Sequence, residues 1–171
     1  MDILVSSNLE RLLFMMSDCD SALVASLMKD LNENGRYQVP KEMLDKIQAE
    51  FSAGFCDDDQ TAKAIAKVWK EHGYLMDTHT AVAWAVSEEY DGAEPVVVLS
   101  TASPFKFPHA VLSALGETPC EDEFDCLAQL SALSKLPIPK NLANLKTAEV
   151  LHTDVIEKEG LIDYALGYAA E

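Results

Sequence analysis

Thr101, Ser103 and Lys106 fall together in the stretch LSTASPFKFPHAV. The run before it, EPVVVL, reads as a strand buried on both faces, and HAVLSALG after it reads as a helix. In open α/β sheets, ligands collect outside the carboxyl ends of the strands, where the backbone turns toward a helix. A hydroxyl and an amine at such a turn are candidate ligand contacts. The same residue types also suit an ordinary strand-to-helix loop with a capping Ser or Thr. A second group, Asp77, His79 and Thr80, opens a helix whose N-terminus would face an anion; a helix cap is the plainer account of Asp77.

Composition narrows what such residues could serve. The chain has 171 residues with 49% hydrophobic content, enough for a real core and too apolar for disorder. Lys and Arg total 13 against 29 Asp and Glu, a formal net charge of -16. That field repels phosphate backbones and anionic lipid, so neither nucleic acid nor a membrane surface is an expected partner. No apolar run approaches membrane-spanning length, and MDILVSSNLERLL carries no basic region before its apolar residues, unlike a secretory signal. Cys19, Cys56, Cys120 and Cys126 form no CxxC pair, and His72, His79, His109 and His152 form no HxxxH. No metal site and no disulfide framework is expected, the thiols read as buried or idle, and a reducing cytoplasm is the natural compartment.

The elements that must position these residues are mostly helices. Leu9, Leu12, Leu13 and Met16 sit at helical spacing, as do Leu23, Val24, Leu27, Met28 and Leu31 behind an Asp20-Ser21 cap. Gly35 breaks that pattern and Pro40 opens a helix bearing Met43, Leu44 and Ile47. The acidic CDDDQ caps the next helix, with Ile65, Val68, Trp69 and His72 inward and Gly73 at its end. Asp77 or Thr78 caps TAVAWAVSEEY, which stops at Gly92. After the strand at residues 96–99 come a helix ending at Gly116, an acidic-capped helix through FDCLAQLSALS, and the proline-set crossing LPIPKN. A last helix runs from about Asp154 to Tyr168, with Ile156, Ile162 and Leu166 inward. Against these stand one clear strand and three weaker ones, EFSAGF, TAEVL and DILVS. A strand as apolar as PVVVL needs partners on both edges and helices on both faces, and the chain supplies few.

Three ordered segments, DILVSSNLERLL, MDTHTAVAWAV and VVVLSTASPFKFPHAV, resemble threonine synthase, a pyridoxal-phosphate enzyme of the tryptophan-synthase-β-like fold. The family versions read roughly D-I-x-x-S-S-N-F-E-R, D-P-H-T-A-V and T-A-H-P-A-K-F-P, and LPIPKNL with the closing helix is similar to the family's C-terminus. The resemblance covers only that C-terminal part. It implies an α/β fold, the C-terminal portion of a fold type II pyridoxal-phosphate enzyme, helix-rich around a short, mostly parallel sheet. Residues 1–171 would be one unit of the large cofactor-binding domain, with Met1 at an internal position of a longer enzyme. The lysine that holds the cofactor, in an S-x-K-type motif, and a G-N-F-G-N-type loop would precede it. SLMKD is not that motif: Leu27 and Met28 lie on the apolar face of a helix and Lys29 is its solvated edge.

The resemblance implies roles residue by residue. Thr101 would be the partner of the cofactor's pyridine nitrogen, or it caps the next turn. Lys106 would attract the phosphate of O-phospho-L-homoserine, or it is a solvated lysine at a helix start. Asp77, His79 and Arg11 would line the cleft; Arg11, in the match to N-x-E-R, pairs with Glu10 or a later carboxylate, or reaches substrate. Ser103 and Phe105 replace the family's usual His and Ala, and Thr78 replaces its Pro. The whole enzyme would be a lyase making L-threonine and phosphate from a small-molecule substrate and water. This chain alone, without the lysine, would bind no pyridoxal 5'-phosphate, be inactive and self-associate. The rivals are a non-catalytic interaction module that kept the fold, and another fold type II pyridoxal-phosphate lyase.

Overall fold

The structure is a computed structural model and describes residues 5–169. They fall into two compact units that divide between Gly54 and Phe55. In the first, α1 (Ser7–Met16) packs on α2 (Ser21–Asn34) and α3 (Lys41–Glu50). Their boundaries follow from local chemistry. Ser6 accepts a hydrogen bond from Leu9 N at the start of α1, and the Asp20 carboxylate accepts from Ala22 N and Leu23 N at the start of α2. Gly35, at φ 69°, takes the left-handed turn that ends α2. Leu13, Val24, Leu27 and Met43 form the small core.

The second unit holds α4 (Asp58–His72), α5 (Thr78–Ser87), α6 (Pro108–Ala114), α7 (Glu123–Ser134), α8 (Lys140–Ala143) and α9 (Leu161–Ala169). Asp57 and Gln60 start α4 with a reciprocal capping box, and Gly73 at φ 63° ends it. Helix α4 packs on α5 and α6, and α6 on α7. Ile65, Met76, Val111, Leu112 and Leu130 close the core between them, each 1% exposed or less. No described helix is long and apolar enough to cross a membrane.

Several expectations are corrected. Among the described residues there is no strand, so the short, mostly parallel sheet is not formed here. Residues 95–100 have no strand pairing, and Val97 and Leu99 are 81% and 72% exposed rather than buried on both faces. The cause is pairing: a strand exists only where a neighbour takes up its N–H and C=O groups, and the described chain offers none. EFSAGF is likewise unpaired, and in TAEVL, Thr147 closes a 3-10 turn, Asn144–Thr147, that follows α8 without pairing to a strand. DILVS lies partly outside the described residues, and its last residue, Ser6, caps α1.

Helix α5 ends at Ser87, short of Gly92; the Ser87 hydroxyl donates to the Trp84 carbonyl at 2.7 Å, competing with the backbone there. The closing helix begins at Leu161, after a 3-10 turn over Lys158–Gly160, rather than at Asp154. Ile156, Ile162 and Leu166 are exposed.

Core and extended segment should therefore respond differently to truncation. Leu130→Ala should cost about 2–5 kcal/mol, the lost transfer energy plus a cavity, whereas Leu99→Ala should stay within about 0.5 kcal/mol. Urea unfolding followed by Trp69 and Trp84, both packed against this core, checks the contrast; equal losses would contradict the burial pattern.

Candidate functional site

The chain after α4 explains why the site residues sit where they do. Gly73 turns it back, and Leu75 and Met76 are drawn into the core, which carries Asp77 in with them to 1% exposure. A buried carboxylate must be fully hydrogen-bonded. Asp77 Oδ1 accepts from His79 N at 2.9 Å and Thr80 N at 3.2 Å, and Oδ2 accepts from the Thr80 hydroxyl. The negative charge also faces the positive end of the α5 dipole. Both carboxylate oxygens are thus occupied in starting α5.

The same turn anchors the loop that carries Thr101 and Lys106. Ser100 Oγ lies 3.4 Å from Thr80 Oγ1 and 3.4 Å from the Tyr74 hydroxyl, giving a run of hydroxyls from Tyr74 through Ser100 and Thr80 to Asp77. At the other end of the loop the Phe107 ring lies 5.1 Å from the His79 ring, tilted by 45°. His79 Nδ1 stands 3.5 Å from Asp77 Oδ1 and 3.4 Å from Thr78 Oγ1. Between these ends, Phe105 is buried in the core, and Ser103 Oγ accepts from Phe105 N to cap the 3-10 turn Pro104–Lys106. Pro108 then opens α6 at a position where a missing N–H costs nothing.

Two side chains remain. Thr101 and Lys106 are exposed, and neither side chain has a hydrogen-bond or ion-pair partner among the described residues. Ser103 performs the capping that Thr101 was an alternative candidate for. Asp77 and His79 are brought to the same loop through Thr80–Ser100 and Phe107. Arg11 belongs to the first unit, where it donates to Asn8 Oδ1 rather than to Glu10 or a later carboxylate. Ser100 and Tyr74 were missed, since nothing in the sequence spacing links either to Thr80. No group of His, Cys, Asp and Glu suited to a metal ion occurs among the described residues.

The chain is similar to known proteins in sequence and in fold. Residues 80–158, the span that begins in the first turn of α5 and includes the loop, match the family described as threonine synthase, C-terminal. Among solved structures, the pyridoxal-phosphate-bound threonine synthase of Brucella melitensis is 44% identical, with a TM-score of 0.64 over 75% of this chain and 28% of that one. The yeast threonine synthase is 26% identical with a TM-score of 0.70, over 100% of this chain and 36% of that one. A relative named threonine synthase-like 1, from Macaca fascicularis, is 39% identical over 67% of this chain and 16% of its own length. The chain therefore spans about a sixth to about a third of the proteins it matches. The described residues form a helix-rich chain. In sequence and in fold it is similar to the C-terminal part of the threonine synthases.

The hydroxyl run makes a stability contrast. Thr80→Val keeps the shape but leaves Asp77 Oδ2 without its donor, and should cost about 1–3 kcal/mol. Ser100→Ala removes only contacts of 3.4 Å and should cost less than about 0.5 kcal/mol. Urea midpoints of the two variants test this, and the reverse order would show that Asp77 is held otherwise.

Proposed function

We propose that this chain is the C-terminal part of a threonine synthase, a cytoplasmic fold type II pyridoxal-phosphate lyase that converts O-phospho-L-homoserine and water into L-threonine and phosphate. The observation that carries this reading is the loop at residues 100–107. Ser100, Ser103, Phe105 and Phe107 are all committed to structure, leaving Thr101 and Lys106 exposed and unpartnered between the two points, Ser100 and Phe107, at which the loop meets α5.

The residues present fit one end of the cofactor. Thr101 offers a neutral hydroxyl with no partner of its own, suited to donate to a pyridine nitrogen without supplying the negative charge that would keep that nitrogen protonated. The phosphate end is not matched: the nearest pair of glycines is Gly160 and Gly167, too far apart for a backbone cradle. In the longer enzyme the bound cofactor supplies an electron sink for proton removal from the substrate. This chain's own residues then hold and orient. Thr101 fixes the ring nitrogen, Lys106 draws in the substrate phosphate as a point charge, and Asp77 with Thr80 sets the α5 turn against which the loop rests. His79 keeps Phe107, and with it the far end of the loop, in register, and Arg11 retains guanidinium donors beyond the one given to Asn8. The unpaired segment at residues 95–100 would enter the sheet of the complete α/β domain.

Two outcomes test the reading. In the longer protein, Thr101→Val should lower turnover of O-phospho-L-homoserine about ten- to a hundredfold, equivalent to about 1–3 kcal/mol for a lost donor in a dry site. Thr101→Ser should keep most of the activity, and full activity in the valine variant would remove Thr101 from the site. The isolated chain should give no cofactor band beyond that of free pyridoxal phosphate and make no threonine. With Val97, Leu99, Leu151 and Val155 all exposed, it should self-associate on sedimentation. A monomer at high concentration that binds no hydrophobic dye would contradict this.

A further inference from the structure

Helices α6 and α7 are joined by an irregular segment, residues 117–122, that is strapped down from α7. Gln129 Oε1 accepts from Cys120 N at 3.3 Å and lies 3.2 Å from Cys120 Sγ, while Gln129 Nε2 donates to the Thr118 carbonyl at 3.0 Å. One turn earlier on α7, the Cys126 thiol donates to the Cys120 carbonyl at 3.0 Å. On its other side Cys126 Sγ stands 3.5 Å from His109 Nε2 of α6. Cys126 is fully buried and Cys120 half-buried. Burial pushes the Cys126 thiol above its ordinary range, and the neighbouring Cys120 side chain adds in the same direction.

Two thiols and an imidazole therefore come together where the sequence shows only scattered residues. We propose that Cys120 and Cys126 are a site of reversible oxidation by a hydroperoxide. Cys120 is the sulfur that meets the oxidant, Cys126 closes an intrachain disulfide, and His109 receives the proton. The Cys120 sulfur attacks the peroxide, the O–O bond breaks, and a sulfenic acid and an alcohol (water, from hydrogen peroxide) result. The sulfur has lost two electrons to the peroxide. Cys126 Sγ then attacks the Cys120 sulfur, its proton passes to His109 Nε2, and the hydroxyl leaves with that proton as water. Two thiols and one hydroperoxide become one disulfide, one alcohol and one water; an added dithiol reverses it.

The geometry fits. With the Cys126 sulfur on the Cys120 carbonyl, ordinary bond lengths keep the two Cα atoms within about 8 Å. Disulfides span about 4.4–6.8 Å, so a shift of about 1–2 Å, available in the irregular segment and not in either helix, is sufficient. The order of events follows exposure: Cys120 is half-buried and Cys126 fully buried, so Cys120 is the residue placed to meet an oxidant first. In the resting state Cys126 is a protonated, inert thiol, and it becomes useful only when its neighbour is oxidised.

The chain as it stands can be tested. After reduction, treatment with one equivalent of hydrogen peroxide and blocking of free thiols, trypsin should release residues 107–135 as a single peptide lighter by two hydrogens and unalkylated. Glutamyl cleavage after Glu121 or Glu123 should leave its halves joined until a dithiol is added. Cys126→Ser should leave a sulfenic acid on Cys120 that dimedone traps, and Cys120→Ser should leave Cys126 unoxidised. His109→Asn should slow closure about tenfold or more at neutral pH without slowing peroxide consumption. Cys120 joined to Cys19, to Cys56 or to a second chain, or oxidised without any link to Cys126, would overturn the proposal, and peptide mapping of the unmutated chain decides this even if a variant fails to fold. An unchanged closure rate in His109→Asn would remove the histidine from it.

Discussion

A carboxylate taken out of water must be given hydrogen bonds in return, and in this chain that demand falls on the first turn of α5. Asp77 enters the core because Leu75 and Met76 do. Its oxygens then fix the His79 and Thr80 amides and the Thr80 hydroxyl. Through Thr80 the constraint reaches Ser100, and through His79 it reaches Phe107. One buried charge thereby orders a helix start, and that helix start touches both ends of a loop from a different part of the chain. Surface pairs such as Lys67–Glu88, between exposed side chains, add little by comparison.

The loop divides its residues between two tasks. Phe105 gives it weight in the core and Ser103 gives it a cap, so the backbone between them needs nothing from Thr101 or Lys106. Rigid elements that present a few uncommitted polar side chains are how binding sites are held without flexible loops. The exchange of a histidine for Ser103, relative to the family pattern, is consistent with that division. A serine caps the 3-10 turn through a short side chain, its hydroxyl accepting from Phe105 N.

Most of the helical architecture was legible because its signals are local. Ser6, Asp20, Asp57, Asp77 and Asp122 each cap the helix that follows, and Gly35 and Gly73 end theirs in left-handed conformation. What was not legible depends on distant partners. The PVVVL run carries every compositional mark of a strand, yet pairing is a property of two segments, and the described residues hold only one. The start of α9 was misplaced because apolar spacing continues upstream through Ile156. At the site, Asp77 as a cap could be read from DTHT, whereas the Ser100 contact could not. Ser100 meets Thr80 only after α4, α5 and α6 have packed, and the same is true of His109 and Cys126 across α6 and α7.

The open segment also has a kinetic meaning. Helix α4 packs on α5, and α6 on α7, each a partner near in sequence, while α4 with α6 is a longer-range pair; local packing of the first kind assembles quickly, in microseconds to milliseconds for helical domains, whereas distant strand pairing is slow. The helical core can therefore form while residues 95–99 remain unpaired, as they are among the described residues. A strand presented on a finished scaffold has lost much of its conformational freedom beforehand, so the arriving segment meets a template rather than another coil. The same interval is when an apolar edge is most exposed to the wrong partner.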